Sequence, residues 1–264
     1  MANDPLYLFC FARTGRVPEL QGPGLDQDSP LFMRSFTGAA AVLSNVPLEQ
    51  FCGPSGDEHV ADLAWLAPRA CRHVEIVGQI MEHSPVLPAR MGTLFSSESK
   101  LEDFVTRHEK EILRFLDRMT GHSEWSMKGL LDVSKAGEAC IAEALARHAG
   151  TLAALTAGKR YLEEQKVRAE AAQAGNNFIA ETCRALAADL RGLASDFAER
   201  RIVIEDAEPG RETIFNWAFL VAANELERFQ SKAQELNAAH SEQGLELKIT
   251  GPWPPYSFAP ALQD

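Results

Sequence analysis

The sequence predicts an α+β fold in two domains, the second of them ferredoxin-like. The chain has 264 residues, of which 45% are hydrophobic and 24% charged, as expected of a globular protein with about two domains. Apolar residues recur with strand spacing in some segments and with helix spacing in others. In the second half these segments follow the order β-α-β-β-α-β, which is the split βαβ arrangement. We therefore predict domains at residues 1–122 and 123–264.

The first predicted domain begins with a buried strand. Residues 6–12 form a short apolar and aromatic run, and residues 31–46 alternate loosely enough for one or two further strands. Helical spacing follows in residues 57–70, and residues 72–81 either continue this helix or begin a second one after a break at Pro68. The connection that follows the early strands is therefore predicted to be helical.

An edge strand and a long helix complete this domain. Residues 85–95 are apolar but contain two prolines, which is typical of an edge or bulged strand because proline cannot donate a backbone hydrogen bond. Ser96 and Ser97 can cap the following helix, which has one broad apolar face over residues 98–119. Gly121 is a suitable stop after the helix, so the domain is predicted to end close to it.

The second domain is predicted to begin with a strand at residue 124 and to continue with helical sequence from residue 138 to about residue 198. This stretch is too long for one unbroken core helix, and its possible breaks are Gly150, Gly158, Gly175 and the pair Asn176-Asn177. The remaining predicted elements are strands at residues 201–205 and 214–221, a helix at residues 225–243 and a strand at residues 245–250. The domain is thus a βαββαβ unit with a long helical insertion and a proline and aromatic tail.

The composition argues against nucleic-acid and membrane partners. The formal net charge of −11 opposes binding to polyanions such as nucleic acid or anionic lipid. No window approaches the roughly 18 to 20 consecutive apolar residues that a membrane-spanning helix requires. The five cysteines are scattered without a CxxC motif, and the first ten residues lack the basic and long apolar regions of a signal peptide. We expect a protein of the reducing cytoplasm.

The sequence lacks four common catalytic and nucleotide-binding motifs. There is no GxGxxG, GxxxxGK[ST], HExxH or GxSxG pattern. His59, Cys71, His73 and His83 lie in one stretch, but their spacing matches no common metal site and is more typical of surface or core residues. We therefore predict no catalytic residues, no cofactor and no metal.

Arg90 is the charged residue that most strongly indicates a binding role. It stands between apolar residues in PARMGTLF, so its stem is expected to be buried while its guanidinium group needs an anionic partner. A helix carboxylate of the same chain would supply that partner through an internal ion pair. The carboxylate or phosphate of a ligand is the other possibility.

The chain ends in a rigid proline and aromatic tail. Pro252, Pro254 and Pro255 fix φ and lack a backbone N–H, so they hold the neighbouring aromatic rings on a stiff extended scaffold. These rings either cover the core of their own domain or form an exposed site for a partner. The predicted partner-binding residues are Trp253, Pro254, Pro255, Tyr256 and Arg90.

Four segments carry a family resemblance. In chain order they read PVLPARMGTLFSS, EWSMKGLLDV, GKRYLEEQK and LELKITGPWPPYSF. In this order and spacing they resemble the gas vesicle protein GvpL/GvpF family, and the resemblance covers nearly the whole chain. It implies an accessory protein that is needed to form gas vesicles, the hollow gas-filled protein shells that provide buoyancy. It also implies a two-domain α+β fold with a ferredoxin-like second domain.

The resemblance further implies partners and a location. The expected partners are the small hydrophobic shell protein and other accessory proteins, to which the tail would supply apolar anchors. The expected location is the cytoplasm, in association with gas vesicles, and no enzymatic activity is implied. The alternatives are a minor structural component of the vesicle shell and a small-molecule-binding ferredoxin-like enzyme, for which His148 and Arg90 are the first candidate residues.

Overall fold

The computed structural model divides into two units and describes residues 4–18, 20, 22–51, 56, 58–59, 61–202 and 210–262. Unit 1 consists of residues 1–124 and 252–264, and unit 2 consists of residues 125–251. The predicted division placed the tail with the second domain, whereas the structure places residues 252–264 in unit 1. The tail belongs there because Pro254 and Pro255 are buried and Ser257 binds a carboxylate of unit 1.

The sheet of unit 1 is built around its first strand, β1 (Leu6–Arg13). Residues 6–12 are all buried, which confirms the predicted strand. On one side β1 pairs with β3, which in turn pairs with β2, so residues 31–46 contribute two strands. On the other side β1 pairs with β4 and β5, two short segments that replace the single edge strand predicted at residues 85–95. Their bounds are Phe32–Ser35 (β2), Ala39–Asn45 (β3), Val86–Pro88 (β4) and Leu94–Phe95 (β5).

Three helices of unit 1 lie within the described residues: α1 (Leu48–Phe51), α2 (Leu63–Met81) and α3 (Glu98–Met119). Pro68 lies inside α2 without ending it, so the predicted alternative of a break is wrong. Asp62 caps α2, while residues 57 and 60 of the predicted helix lie outside the described residues. α3 has the predicted bounds, because Ser97 accepts a hydrogen bond from the N–H of Lys100 at its start and Gly121 adopts a φ of 72° after its end.

The described residues of unit 2 form most of one long strand, three helices and three further strands. Its sheet has the order β7-β8-β6-β9. The elements are β6 (His122–Asp132), α4 (Val133–Ala153), α5 (Ala157–Arg191), β7 (Asp196–Glu199), β8 (Arg211–Ala222), α6 (Leu226–Ser241) and β9 (Leu245–Trp253). Met127, Leu186 and Phe219 are among the residues of its core. The predicted elements at residues 214–221, 225–243 and 245–250 are thereby confirmed as β8, α6 and β9.

The helical insertion breaks at a place that the sequence did not indicate. α4 ends at Ala153 and α5 begins at Ala157, whereas α5 continues through Gly158 and Gly175. The break is stabilised by Arg160, whose guanidinium group donates hydrogen bonds to the carbonyl oxygens of Leu152, Ala153 and Leu155. Leu152 and Ala153 are the last two residues of α4, where carbonyl groups lose the N–H partners of a continuing helix, and Leu155 lies in the connection to α5.

The strand predicted at residues 201–205 lies largely outside the described residues, and a strand that the sequence did not predict precedes it. Residues 201 and 202 are not in a strand and residues 203–209 lie outside the described part of the chain, whereas β7 occupies Asp196–Glu199. β7 is fixed by its antiparallel pairing with β8, in which Phe197 lies opposite Phe219. Arg191 also stacks over the Phe197 ring, 4.7 Å from its centroid. In the described parts of the chain, no helix has the length and apolar content to cross a membrane.

Candidate functional site

The C-terminal tail is fastened to unit 1 by a buried carboxylate. After β9 the tail passes through Pro254 and Pro255, which are buried, and forms one 3₁₀ turn at Tyr256–Phe258. The N–H and the hydroxyl of Ser257 donate hydrogen bonds of 2.9 and 3.1 Å to the two carboxylate oxygens of Glu124. Glu124 is only 1% exposed, so these bonds lie in a setting where an unpaired carboxylate would be costly.

A buried hydrogen-bonded chain lies near this turn. The hydroxyl of Tyr7 is 2.7 Å from His73 Nδ1, and His73 Nε2 is 3.1 Å from the carbonyl oxygen of Ala89. A carbonyl can only accept, so the geometry fits a neutral imidazole that carries its proton on Nε2 and accepts from Tyr7 on Nδ1. Burial lowers the pKa of His73 to about 4, although the bond to Ala89 opposes this shift. His73 is therefore a neutral core residue that ties β1 to the segment after β4.

The Tyr256 ring of the tail lies beside this chain of hydrogen bonds. Its ring lies 6.3 Å from the His73 ring, centroid to centroid, and its hydroxyl is buried without a hydrogen-bond partner among the described residues. Burial raises the pKa of Tyr256, and the neighbouring Cys10, Tyr7 and Glu124 raise it further. Tyr256 thus covers part of the core of unit 1, whereas the sequence interpretation of a core-covering tail placed it in the second domain.

The groups buried beneath the tail are poorly placed for acid–base or nucleophilic chemistry. Cys10 is fully buried, and burial raises the pKa of its thiol. Burial also raises the pKa of Tyr7, while it lowers that of His73. Each shift favours the neutral form, whereas a nucleophilic cysteine needs the thiolate. The arrangement is typical of a packed polar core.

Arg90 lies beside the tail on the outer side of this core. It is exposed, and its guanidinium group forms no ion pair with any carboxylate of the described residues. The internal ion pair considered from the sequence is therefore not found in that part of the chain. Arg90 instead lines a cavity of about 220 Å³, together with Leu8, Phe104, Tyr256 and Leu262.

The predicted partner-binding residues thus fall into two groups. Pro254 and Pro255 are buried and Tyr256 is half-buried, whereas Arg90 and Trp253 are exposed, Trp253 to 41% as the last residue of β9. Sequence reasoning missed Glu124 and Ser257, although both lie within the segments EWSMKGLLDV and LELKITGPWPPYSF that carry the resemblance. The local signals of this contact are a charged residue, Glu124, next to the apolar residues of a strand and a serine, Ser257, next to prolines.

Other candidates from the sequence are not brought together. In the described part of the chain, no group of three His, Cys, Asp or Glu side chains is arranged to hold a metal ion. His148 lies on α4, where its Nδ1 is 2.9 Å from the carbonyl oxygen of Ala144. Unit 2 has a cavity of about 150 Å³ lined mainly by apolar residues with Cys140 and His240. Tyr161 and Leu162 are exposed near the start of α5.

The sequence matches the family described as gas vesicle synthesis protein GvpL/GvpF over residues 5–260. Gas vesicle protein L of Streptomyces sp. (strain CB03234) is 28% identical over 267 residues, covering 98% of this chain and 94% of that protein. Gas vesicle protein L2 of Halobacterium salinarum is 24% identical over 273 residues, covering 98% and 93% of the two chains.

Solved structures show the same fold at lower identity. The crystal structure of the gas vesicle protein GvpF from Anabaena sp. PCC7120 superposes with a TM-score of 0.69 at 16% identity, covering 98% of this chain and all of that one (100%). The GvpF structure from Microcystis aeruginosa gives a TM-score of 0.65 at 16% identity, covering 97% and 99%. The fold is therefore the mixed helix and sheet architecture of these proteins.

Proposed function

The chain belongs to the GvpL/GvpF family of gas vesicle synthesis proteins, and from this premise we propose that it is an accessory protein that binds the small hydrophobic shell protein during vesicle assembly. The observation that carries the proposal is the family match over residues 5–260, because it includes both units and the tail. Other gas vesicle accessory proteins are proposed as further partners. The proposed place of action is the cytoplasm, in association with gas vesicles.

Binding rather than catalysis is proposed as the role of the tail region. In support, the polar groups beneath the tail are buried and hold their neutral forms, since burial lowers the pKa of His73 to about 4 and raises that of Cys10. Outside this core, Trp253 and Arg90 are exposed. An aromatic ring and an arginine are the residue types that most often anchor protein interfaces.

The first test is capture of the host's shell protein by the affinity-tagged full chain after co-expression. We expect the wild-type chain to retain the shell protein and the Trp253→Ala variant to retain less, because an exposed aromatic anchor is lost. Tyr161→Ala is the matched control, since Tyr161 is an exposed aromatic residue of unit 2. Circular dichroism of all three proteins shows whether they remain folded.

The possible outcomes test the proposed function and the choice of Trp253 as the contact residue separately. A wild-type chain that captures no shell protein contradicts the proposed function. If wild type and Trp253→Ala capture the shell protein equally, the proposed function stands but Trp253 is not a contact residue. If only Tyr161→Ala loses capture, the contact surface lies on α5. Fractionation of washed vesicles distinguishes an assembly factor from a retained shell component, because only the latter stays with the vesicles.

We also infer that unit 2 is a ferredoxin-like domain whose first crossover, formed by α4 and α5, is extended by a helical insertion. In chain order its strands are β6, β7, β8 and β9, and their order in the sheet is second, third, first and fourth. Helices connect the first strand to the second and the third to the fourth. This agrees with the split βαβ arrangement. Backbone nuclear Overhauser effects from β6 to only one of β8 and β9 would contradict the inference.

A further inference from the structure

Two neighbouring cavities on unit 1 share one aromatic side chain. The cavity of about 220 Å³ beside the tail and a second one of about 400 Å³ both have Phe104 of α3 in their lining. The Phe104 ring is held in place by Phe95, at 5.3 Å, and by Phe11, at 6.4 Å, measured between ring centroids. We call this surface the Phe104 groove and define it by Phe104 and the linings of the two cavities.

The rim of the Phe104 groove is cationic. Arg90 lines the first cavity, Lys100 and Arg107 line the second, and all three are exposed. None of them forms an ion pair with a carboxylate in the part of the chain that the structure describes. Among the described residues that line the two cavities, Asp103 is the one that carries a carboxylate.

Two other carboxylates of the same helix form ion pairs with an arginine outside the groove. Glu98 and Glu102 lie on α3 and pair with Arg34 of β2, at 3.3 and 2.8 Å. These two carboxylates are therefore paired with Arg34 and not with Arg90, Lys100 or Arg107. The chain carries a net charge of −11, so attraction of an acidic partner requires a local group of cations such as this rim.

We propose that the Phe104 groove binds a segment of the shell protein that combines carboxylates with apolar side chains. The inference rests on the proposed function and specifies the surface and the chemistry of that contact. The rim cations match carboxylates, and arginine forms bidentate bonds with them. The lining supplies apolar contacts through Leu8, Phe104 and Leu94. A dry cavity of about 150 Å³ holds benzene, so a cavity of about 220 Å³ accommodates an apolar side chain.

The test uses the co-expressed full chain and shell protein with two matched triple variants. The groove variant carries Arg90→Gln, Lys100→Gln and Arg107→Gln. The control variant carries Lys159→Gln, Arg168→Gln and Arg184→Gln, which are exposed in unit 2 and change the net charge by the same amount. We expect capture to fall at least tenfold in the groove variant and to stay at the wild-type level in the control. Wild-type capture should also weaken as salt rises, since exposed charges are screened.

A further variant tests the apolar part of the groove. Ala261→Trp places a bulky side chain at an exposed position in the lining of the first cavity. We expect it to reduce capture at least fivefold while the circular dichroism spectrum and melting temperature stay unchanged. Ala142→Trp is its control, because Ala142 is exposed on α4.

The result that overturns the groove alone is distinct from the result that overturns the proposed function. If wild type captures the shell protein and the groove variants capture it equally well, the Phe104 groove is not the contact surface and the proposed function stands. If wild type captures none, the proposed function fails and the groove inference fails with it. Capture that is lost equally in the groove and control variants shows a nonspecific charge effect and also overturns the groove inference.

Discussion

Glu124 accepts both hydrogen bonds that Ser257 donates, from its backbone N–H and from its hydroxyl, across 133 residues of sequence. The carboxylate is 1% exposed. A charge in this position must be compensated locally, since it cannot be solvated. The contact therefore fixes the conformation of the tail and makes the last turn a part of unit 1.

Replacing Glu124 by Gln is expected to loosen the tail. The amide presents an NH₂ group to one of the two donors of Ser257, so we expect a loss of about 1–3 kcal/mol in the free energy of unfolding. Urea denaturation measures this loss, and amide hydrogen exchange in residues 252–262 should become faster. Glu138→Gln is the control, because Glu138 is exposed on α4. Unchanged stability together with unchanged exchange would show that the contact contributes little.

His73 is expected to make stability fall with pH below about 6.5. Its pKa is lowered to about 4 in the folded protein, so the unfolded chain binds a proton that the folded chain does not bind between these values. This contribution to stability is fully present above pH 6.5 and is lost as the pH falls towards 4. Its size is about 3 kcal/mol at most, from 1.36 kcal/mol per pKa unit.

The His73→Gln variant isolates this effect from the titration of carboxylates. We expect it to be less stable than wild type at pH 7, because it loses the bond that Nδ1 accepts from Tyr7. The difference should narrow between pH 7 and pH 4.5 in urea denaturation series. His83→Gln is the control, since His83 is exposed. Parallel curves for wild type and His73→Gln would contradict the assignment of a buried neutral imidazole.

Removal of a phenol hydroxyl is expected to have different effects at two tyrosines. Tyr7→Phe removes a hydroxyl that donates to His73 and accepts from the N–H of Gly92, at 2.7 and 3.4 Å, so we expect a loss of about 1–3 kcal/mol. Tyr256→Phe removes a buried hydroxyl without a hydrogen-bond partner among the described residues, so we expect little change or a small gain in stability. Thermal and urea denaturation of both variants measure the two changes in the free energy of unfolding. A larger loss of stability for Tyr256→Phe than for Tyr7→Phe would contradict the hydrogen bonds assigned to the two hydroxyl groups.

The elements predicted best are those specified by local patterns. α3 was placed to the residue, because a broad apolar stripe, a capping serine and a terminal glycine all lie within its own sequence. The sequence did not predict β7, because residues 196–199 contain no β-branched residue whereas residues 201–205 contain three. The position of β7 depends on its pairing with β8, in which Phe197 lies opposite Phe219. Tertiary pairing of this kind overrides propensity.

The site was predictable only in part for a similar reason. The rigid tail and Arg90 have local signatures, and proline spacing identified the tail as a docked segment. The contact of Glu124 with Ser257 depends on two segments that meet only after folding. The break at residues 154–156 likewise depends on Arg160, which reaches back to three carbonyl groups, and arginine carries no helix-breaking signal.

Two glycine substitutions in unit 2 are expected to have opposite effects on stability. Gly129 lies on β6, where an added Cβ would overlap the ring of Phe215, and that ring stacks on Trp217 at 3.6 Å between centroids. Gly129→Ala should therefore cost about 1–3 kcal/mol through overpacking. Gly137 lies in α4 with no atom within 4 Å of an added Cβ, so Gly137→Ala should stabilise by about 0.5–1 kcal/mol.

The cause of the Gly129 effect can be tested with a compensating change. Phe215→Leu removes the ring that the new methyl group would meet, so the double variant should be less destabilised than the sum of the two single variants. Urea denaturation followed by tryptophan fluorescence suits this test, because Trp217 stacks on Phe215 and should report its displacement. Additive losses would mean that the methyl group and the ring do not meet, whereas a compensating double variant shows that Gly129 is required by the close packing of β6 against β8.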